Sequence, residues 1–197
     1  MRQVSLLMAV VLLPLCMAST AFAHPDHFEH THGVWDGVTH PLLGLDHLLA
    51  MVTVGLLSAQ RGGRAIWALP SAFVLSMIAG GVAGMLEFPL PAVEFGIAAS
   101  IVLLGCAVAS GRKSSIVEPL LFAAVFGFFH GHAHGTEMPS LTNPALYATG
   151  FVTSTIMLHV AGVILGRFAI RSAKGATRLR VCGAVIAGTG LLFVVLP

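Results

Sequence analysis

Charged side chains are scarce: Asp, Glu, Lys and Arg make up 9% of the 197 residues, where a soluble domain carries about a quarter. With 56% hydrophobic residues and a mean hydropathy of +0.92, the chain is suited to lipid rather than water. Apolar runs of about 20 residues, enough to cross a ~30 Å hydrocarbon layer at 1.5 Å per residue, recur along most of the length. They leave no room for a large soluble domain. Cysteine is also rare, with three residues. Cys16 lies in a leader-like segment, and Cys106 and Cys182 sit in apolar runs without CxxC spacing, so neither a disulfide framework nor a thiolate metal site is indicated. No GxxxxGK[ST] phosphate loop is present. The formal charge of +2 does not point to nucleic acid, because the basic residues sit in short loops rather than on one face.

Arg2, an apolar run from Val4 to Met17 and the small-residue ending Ala21-Phe22-Ala23 have the layout of a secretory signal peptide. Cleavage after Ala23 would make residues 1–23 the signal peptide, 24–38 a histidine-rich periplasmic tail, and 39–197 the membrane domain. The rival reading, an uncleaved first span, is weakened by the shortness of the run. A lipoprotein signal is disfavoured by bulky Leu15 before Cys16.

Six further segments read as membrane helices: Thr39 to Ala59, Ala65 to Met85, Pro91 to Ser110, Ser115 to His132, Pro144 to Gly166, and Leu179 to Leu196. The predicted fold is therefore an all-α bundle of six transmembrane helices. Beyond Arg2, every Lys and Arg (Arg61, Arg64, Arg112, Lys113, Arg167, Arg171, Lys174, Arg178, Arg180) falls in the first, third or fifth connection. The positive-inside rule puts those loops in the cytoplasm of a bacterial inner-membrane protein and both mature termini in the periplasm. Small residues (Gly80, Gly81, Gly84, Gly96, Ser100, Gly183, Gly188) are read as contacts that let helices approach closely.

Against this apolar background stand ten histidines. Ionisable groups within membrane spans are costly and mark sites or pathways. His24, His27, His30 and His32 crowd the tail with Asp26 and Glu29. His40 and His47 flank Asp46 on the first span; His130, His132 and His134 end the fourth, followed by Glu137; His159 stands apart on the fifth. By the topology above, the first three groups converge on the outer face, as a metal site requires. Glu94 lies near the outer rim and Glu118 near the cytoplasmic one.

In a regular helix His40 and His47 would lie about 10 Å apart along the axis, too far to share one ion at bonds of about 2 Å. Either a distortion, which Pro41 and Gly44 favour, or two sites is needed. Asp46 could ligate or orient a ligating histidine. Met51, one turn after His47, offers a thioether, although packing is the commoner role of methionine. His130 and His134, spaced i and i+4, share a face that Glu137 continues, and His132 points elsewhere. Imidazole and carboxylate donors suit nickel, cobalt, zinc and copper(II). His159 lies about 22 Å along its helix from Pro144; with Thr153 and Thr155 it reads equally as an inward polar track or a helix-to-helix hydrogen bond. The tail histidines suit metal capture at neutral pH.

His40-Pro-x-x-Gly44-x-Asp46-His47-x-x-x-Met51 together with Phe129-His130-Gly131-x-Ala133-His134-Gly135-x-Glu137 resembles the HupE/UreJ family, and Gly150-Phe151 through Thr155 with Leu158-His159 looks like its third motif. The resemblance implies a nickel or cobalt permease serving hydrogenase or urease, with a cleaved signal peptide and six helices. It implies that His40, Asp46 and His47 are required for uptake, with His130, His134 and Glu137 from the second motif. His132 and the tail inherit no role. The metal ion is then the substrate, with nickel ranked first, and an outer-membrane or periplasmic metal supplier fits as partner. Two other classes compete. An intramembrane metal-dependent hydrolase needs similar ligands, but HExxH is absent; a haem-binding electron carrier needs mid-membrane histidine pairs. A sensor or buffer that binds metal without moving it uses the same donors.

Overall fold

The structure is a computed structural model that describes residues 33–112, 115–138 and 143–196. The expected signal peptide and the tail histidines His24, His27, His30 and His32 lie outside the described residues. Seven helices and no strand occur among the described residues: α1 (Gly33–Leu43), α2 (Leu45–Arg61), α3 (Ala65–Met85), α4 (Val93–Ser110), α5 (Val117–Thr136), α6 (Pro144–Ala169) and α7 (Ala173–Val195).

Four of these, α3, α4, α6 and α7, are long and apolar enough to cross a membrane, and α1 with α2 forms a fifth such unit bent by 80°. The first expected span is thus a broken one. Pro41 has no N–H to give to the carbonyl of Gly37 and its ring crowds that turn. Three residues past it the chain leaves helical geometry at Gly44, with φ −74° and ψ 106°. α1 begins at Gly33, within the stretch read as tail. α5 does not match the other spans in apolarity because Glu118, His130, His132 and His134 all lie on it. Its 20 residues still extend about 30 Å.

The ends follow local chemistry. Asn143 caps α6 by accepting from the N–H groups of Ala145 and Leu146 at 3.0 and 3.3 Å, and Pro144 fills the first turn where no N–H is needed. Ser172 accepts from Gly175 N–H at 3.1 Å, so α7 starts at Ala173, earlier than the expected Leu179, and takes in the basic residues Lys174 and Arg178.

Glycine sets the packing. The most extensive helix contacts are α3 with α5, α4 with α7, and α6 with α1 and α2. In the first pair Gly127, Gly131 and Gly135 recur every four residues on α5, and a Cβ on them would collide with the carbonyl oxygens of Phe73, Met77 and Gly81. Gly80 and Gly84 meet the carbonyls of Phe128 and His132 in return. Gly105 and Gly183 play these parts between α4 and α7, as do Gly55 and Gly162 between α2 and α6, and Gly37 and Gly150 between α1 and α6. Gly188 departs from expectation: nothing lies within 4 Å of the Cβ position there, and Gly190, two residues on, makes the close contact with Val102. That choice follows the face α7 turns to α4.

The bundle reverses the polarity of a soluble protein. Its outward surface carries Trp67, Leu75, Phe95, Leu121, Ile164 and Leu192, while His47, His130, His132, His134, Thr155 and His159 are buried. Apolar outside and satisfied backbone within helices is what a hydrocarbon solvent demands.

Candidate metal centre

The bend at Gly44 makes the centre. It folds α1 back so that the rings of His40 and His47 lie with centroids 6.0 Å apart, rather than two turns apart on one straight helix. A Cβ at Gly44 would sit 2.9 Å from Cδ2 of His47 and 3.1 Å from Oδ1 of Asp46, so the corner has no room for a side chain. Asp46 Oδ1 accepts the His47 backbone N–H at 2.8 Å, placing a carboxylate at the positive end of α2.

α5 supplies the other half. Its helix continues beyond the expected His132 to Thr136, because the glycine contacts with α3 offset glycine's poor helix propensity. His134 lies 4.3 Å from His47 and 4.5 Å from His40, centroid to centroid, with its ring 3.8 Å from that of Phe151. His130, one turn deeper, is 5.1 Å from His47. One ring nitrogen from each of His40, His47 and His134 falls within 4.8 Å of the others. Two nitrogens bound to one ion at about 2.1 Å can be no more than about 4.2 Å apart, so small ring rotations complete a three-nitrogen site. Glu137, at the end of α5, brings Oε2 to 3.3 Å from His40 Nε2, and both side chains are partly open to the outside, at 48% and 30% exposure.

The buried donors lack partners. His130 Nδ1 donates to the Phe126 carbonyl at 2.8 Å, which leaves Nε2 as a lone pair without a hydrogen bond. Both ring nitrogens of His134 and Nδ1 of His47 are likewise buried and unpartnered. Each such group costs about 1–3 kcal/mol. His132, whose Nδ1 is also buried without a partner, donates from Nε2 to the Phe88 carbonyl at 2.7 Å, tying α5 to the loop before α4.

Outside the cluster lies an open vestibule of roughly 450 Å³. A divalent ion with six waters of about 30 Å³ each fits easily. Among the described residues its walls carry four carboxylates, Asp36, Asp46, Glu94 and Glu137, with His40 and His47, and no Lys or Arg. Such a lining concentrates cations. Inward, Met51 lies fully buried one turn below His47, and Thr155 Oγ1 lies 3.3 Å from its sulfur and 3.7 Å from that of Met77. Thr153 is exposed and donates to its own helix at Thr149, so it is not part of this group. His159 lies deeper still. Glu118 sits in the first turn of α5, at the opposite end of the bundle from the cluster.

Of these neighbours, sequence reasoning missed Asp36, Phe73, Met77 and Tyr147. Asp36 stands one helical turn before His40, a spacing that carries the signal. Phe73 and Met77 lie in an apolar run that carries none.

Apolar helices outside and a histidine and carboxylate cluster inside define a multi-pass helical membrane protein with a candidate metal centre. The family described as HupE / UreJ protein matches residues 11–193. The chain belongs to that family. Among curated proteins it is similar to "Protein HupE" of Rhizobium leguminosarum bv. viciae, with 40% identity over 185 residues, covering 93% of this chain and 95% of the relative. No solved structure matches significantly.

Proposed function

We propose that this protein is an inner-membrane permease for a divalent transition metal, nickel first and cobalt second, that supplies metalloenzyme maturation. The observation that carries the reading is the group of buried ring nitrogens on His47, His130 and His134 with no hydrogen-bond partner. Convergence sets this group apart: His130 and His132 each give one nitrogen to a backbone carbonyl, but the rings of His40, His47 and His134, and of His47 and His130, lie only 4.3–6.0 Å apart. Nitrogens left bare at a cost of about 1–3 kcal/mol each are compensated when an ion arrives. Family membership and the acidic vestibule point the same way.

In this reading α1 with α2 and α5 cross the membrane beside the other four spans, giving six crossings after a cleaved leader, with the cluster periplasmic and the basic loops cytoplasmic. The hydrated ion enters between Asp46, Glu94 and Glu137, where carboxylates begin to replace water. His40, His47 and His134 then take it as nitrogen ligands, and His130 draws it inward. The imidazole set accepts nickel, cobalt, zinc and copper(II); the preference for nickel rests on the resemblance of the two motifs. The tail histidines His24 to His32 raise the local ion concentration.

Uptake of radioactive nickel, cobalt and zinc into vesicles holding the purified protein tests this, beside His47→Ala and His134→Ala. Saturable nickel flux that both substitutions abolish is the expected result. Metal binding without flux would leave a buffer or sensor and end the permease reading.

A further inference from the structure

α6 turns four side chains to the bundle interior at four-residue steps: Tyr147, Phe151, Thr155 and His159, all buried. Each faces a different layer. Tyr147 lies 6.3 Å from the His40 ring and Phe151 lies 3.8 Å from that of His134. Thr155 meets the thioethers of Met51 and Met77, and His159 meets the Phe73 ring edge-on at 5.2 Å and 87°. The same Phe73 ring lies 5.4 Å from His130. Phe73 therefore stands between the last imidazole of the outer cluster and an isolated one about 12 Å deeper along α6, measured from Phe151 at 1.5 Å per residue.

His159 is 1% exposed, and neither ring nitrogen has a hydrogen-bond partner. A structural histidine in a membrane bundle bonds to a neighbouring helix. His159 has close neighbours to bond to, because α2 and α6 touch at Gly55 and Gly162, where a Cβ on Gly55 would strike the His159 carbonyl. The ring instead points past that contact towards Phe73. On its other side, an apolar groove on the lipid-facing surface between α3 and α6, lined by Trp67, Pro70, Ser71 and Val163, reaches His159 in the half of the bundle that carries the basic loops. The outer vestibule reaches the cluster from the opposite half.

We propose that His159 is an inner ligand for the transported divalent metal, a second station reached from the outer histidine cluster past Phe73, with Thr155 and the sulfurs of Met51 and Met77 as intermediate donors. The inference rests on the permease reading and adds a second binding point to it. Thioethers and a hydroxyl bind borderline ions weakly, so they suit transit between two imidazole stations rather than capture. Two stations of similar donor type let an ion leave the first without returning to water.

The test uses cobalt(II) as the probe in the purified full chain with Cys16, Cys106 and Cys182 changed to serine. In His159→Cys a metal that comes within bonding distance of position 159 acquires a thiolate ligand and a near-ultraviolet thiolate-to-cobalt charge-transfer band. The band should appear in addition to the visible cobalt spectrum of the outer cluster, and it should be absent from the serine parent. In parallel, His159→Gln should keep outer-cluster affinity within about twofold while nickel flux into vesicles falls about tenfold or more, by the scale of ligand-shell losses. A folded His159→Cys protein that keeps the outer cobalt spectrum and shows no charge-transfer band overturns the proposal, as does His159→Gln with parental flux. If His159→Cys does not fold, the His159→Gln flux decides. A charge-transfer band in a protein whose parent shows no flux would keep the inner site and end the permease reading, so the two failures are separable.

Discussion

Replacing His134 by leucine separates a metal centre from a packing histidine more sharply than an activity loss could. The ring is 1% exposed and both its nitrogens are unpartnered, so the metal-free protein carries about 2–6 kcal/mol of unmet hydrogen bonding there. Leucine fills a similar volume beside Phe151, and refitting its shape costs up to about 1.5 kcal/mol. The balance favours the variant in the absence of metal by about 1–4 kcal/mol. At roughly 2–4 °C per kcal/mol for a chain of this length, His134→Leu should unfold several degrees above the parent in detergent with a chelator. Adding nickel should reverse the order. A ligand at a thousand times its dissociation constant stabilises by about 4.1 kcal/mol, a gain open to the parent and largely closed to the variant, whose affinity should fall at least 100-fold. Thermal unfolding with and without nickel reads both effects. A variant less stable than the parent in chelator, with an unchanged response to nickel, would refute the view that His134 is held bare for an ion.

The other predictions concern the frame and the approach to it. Gly131→Ala places a methyl against the Met77 carbonyl and should cost about 1–3 kcal/mol together with nickel flux, whereas Gly188→Ala, in open space, should change neither; folded yield and melting temperature report the difference. Glu137→Gln should leave stability within about 1 kcal/mol, since the His40 pair is partly exposed, yet weaken nickel binding about 10–100-fold in equilibrium dialysis. A label at residues 111–114 should react only from the cytoplasmic side of intact cells. Deleting His24 to His32 should reduce uptake at scarce metal and leave it unchanged at abundant metal.

How much of this was legible depended on whether a residue's role was polar. The pattern of apolar runs interrupted by charge located the helices. It misplaced the start of α7, where Lys174, Arg178 and Arg180 look like a loop but are good helix formers, and Arg180 Nε donates to the Ala109 carbonyl at 2.9 Å. Pro41 and Gly44 announced a distortion beside His40, but a break of 80° is set by what α1 packs against, namely α6 through Gly37 and Gly150. The i, i+4 pair His130 and His134 was visible as a face. The reach of Glu137 to His40 was not, since it depends on two helices distant in sequence. Phe73 and Met77 gave no signal, because an aromatic and a thioether inside an apolar run look alike whether they fill space or stand in a path.

The glycine-matched helix pairs join segments that are not neighbours in the chain: α3 with α5, α4 with α7, and α2 with α6. During synthesis each early helix must therefore wait in the bilayer for a partner that the ribosome has not yet made. At about 5–20 residues per second, α2 spends several seconds before α6 emerges to hold it. His40 and His47 belong to the first helices and His134 to the fifth, so no half-made chain possesses the three-imidazole site. The centre is thus among the later features to form, waiting on α5 although two of its three imidazoles are made with the first helices.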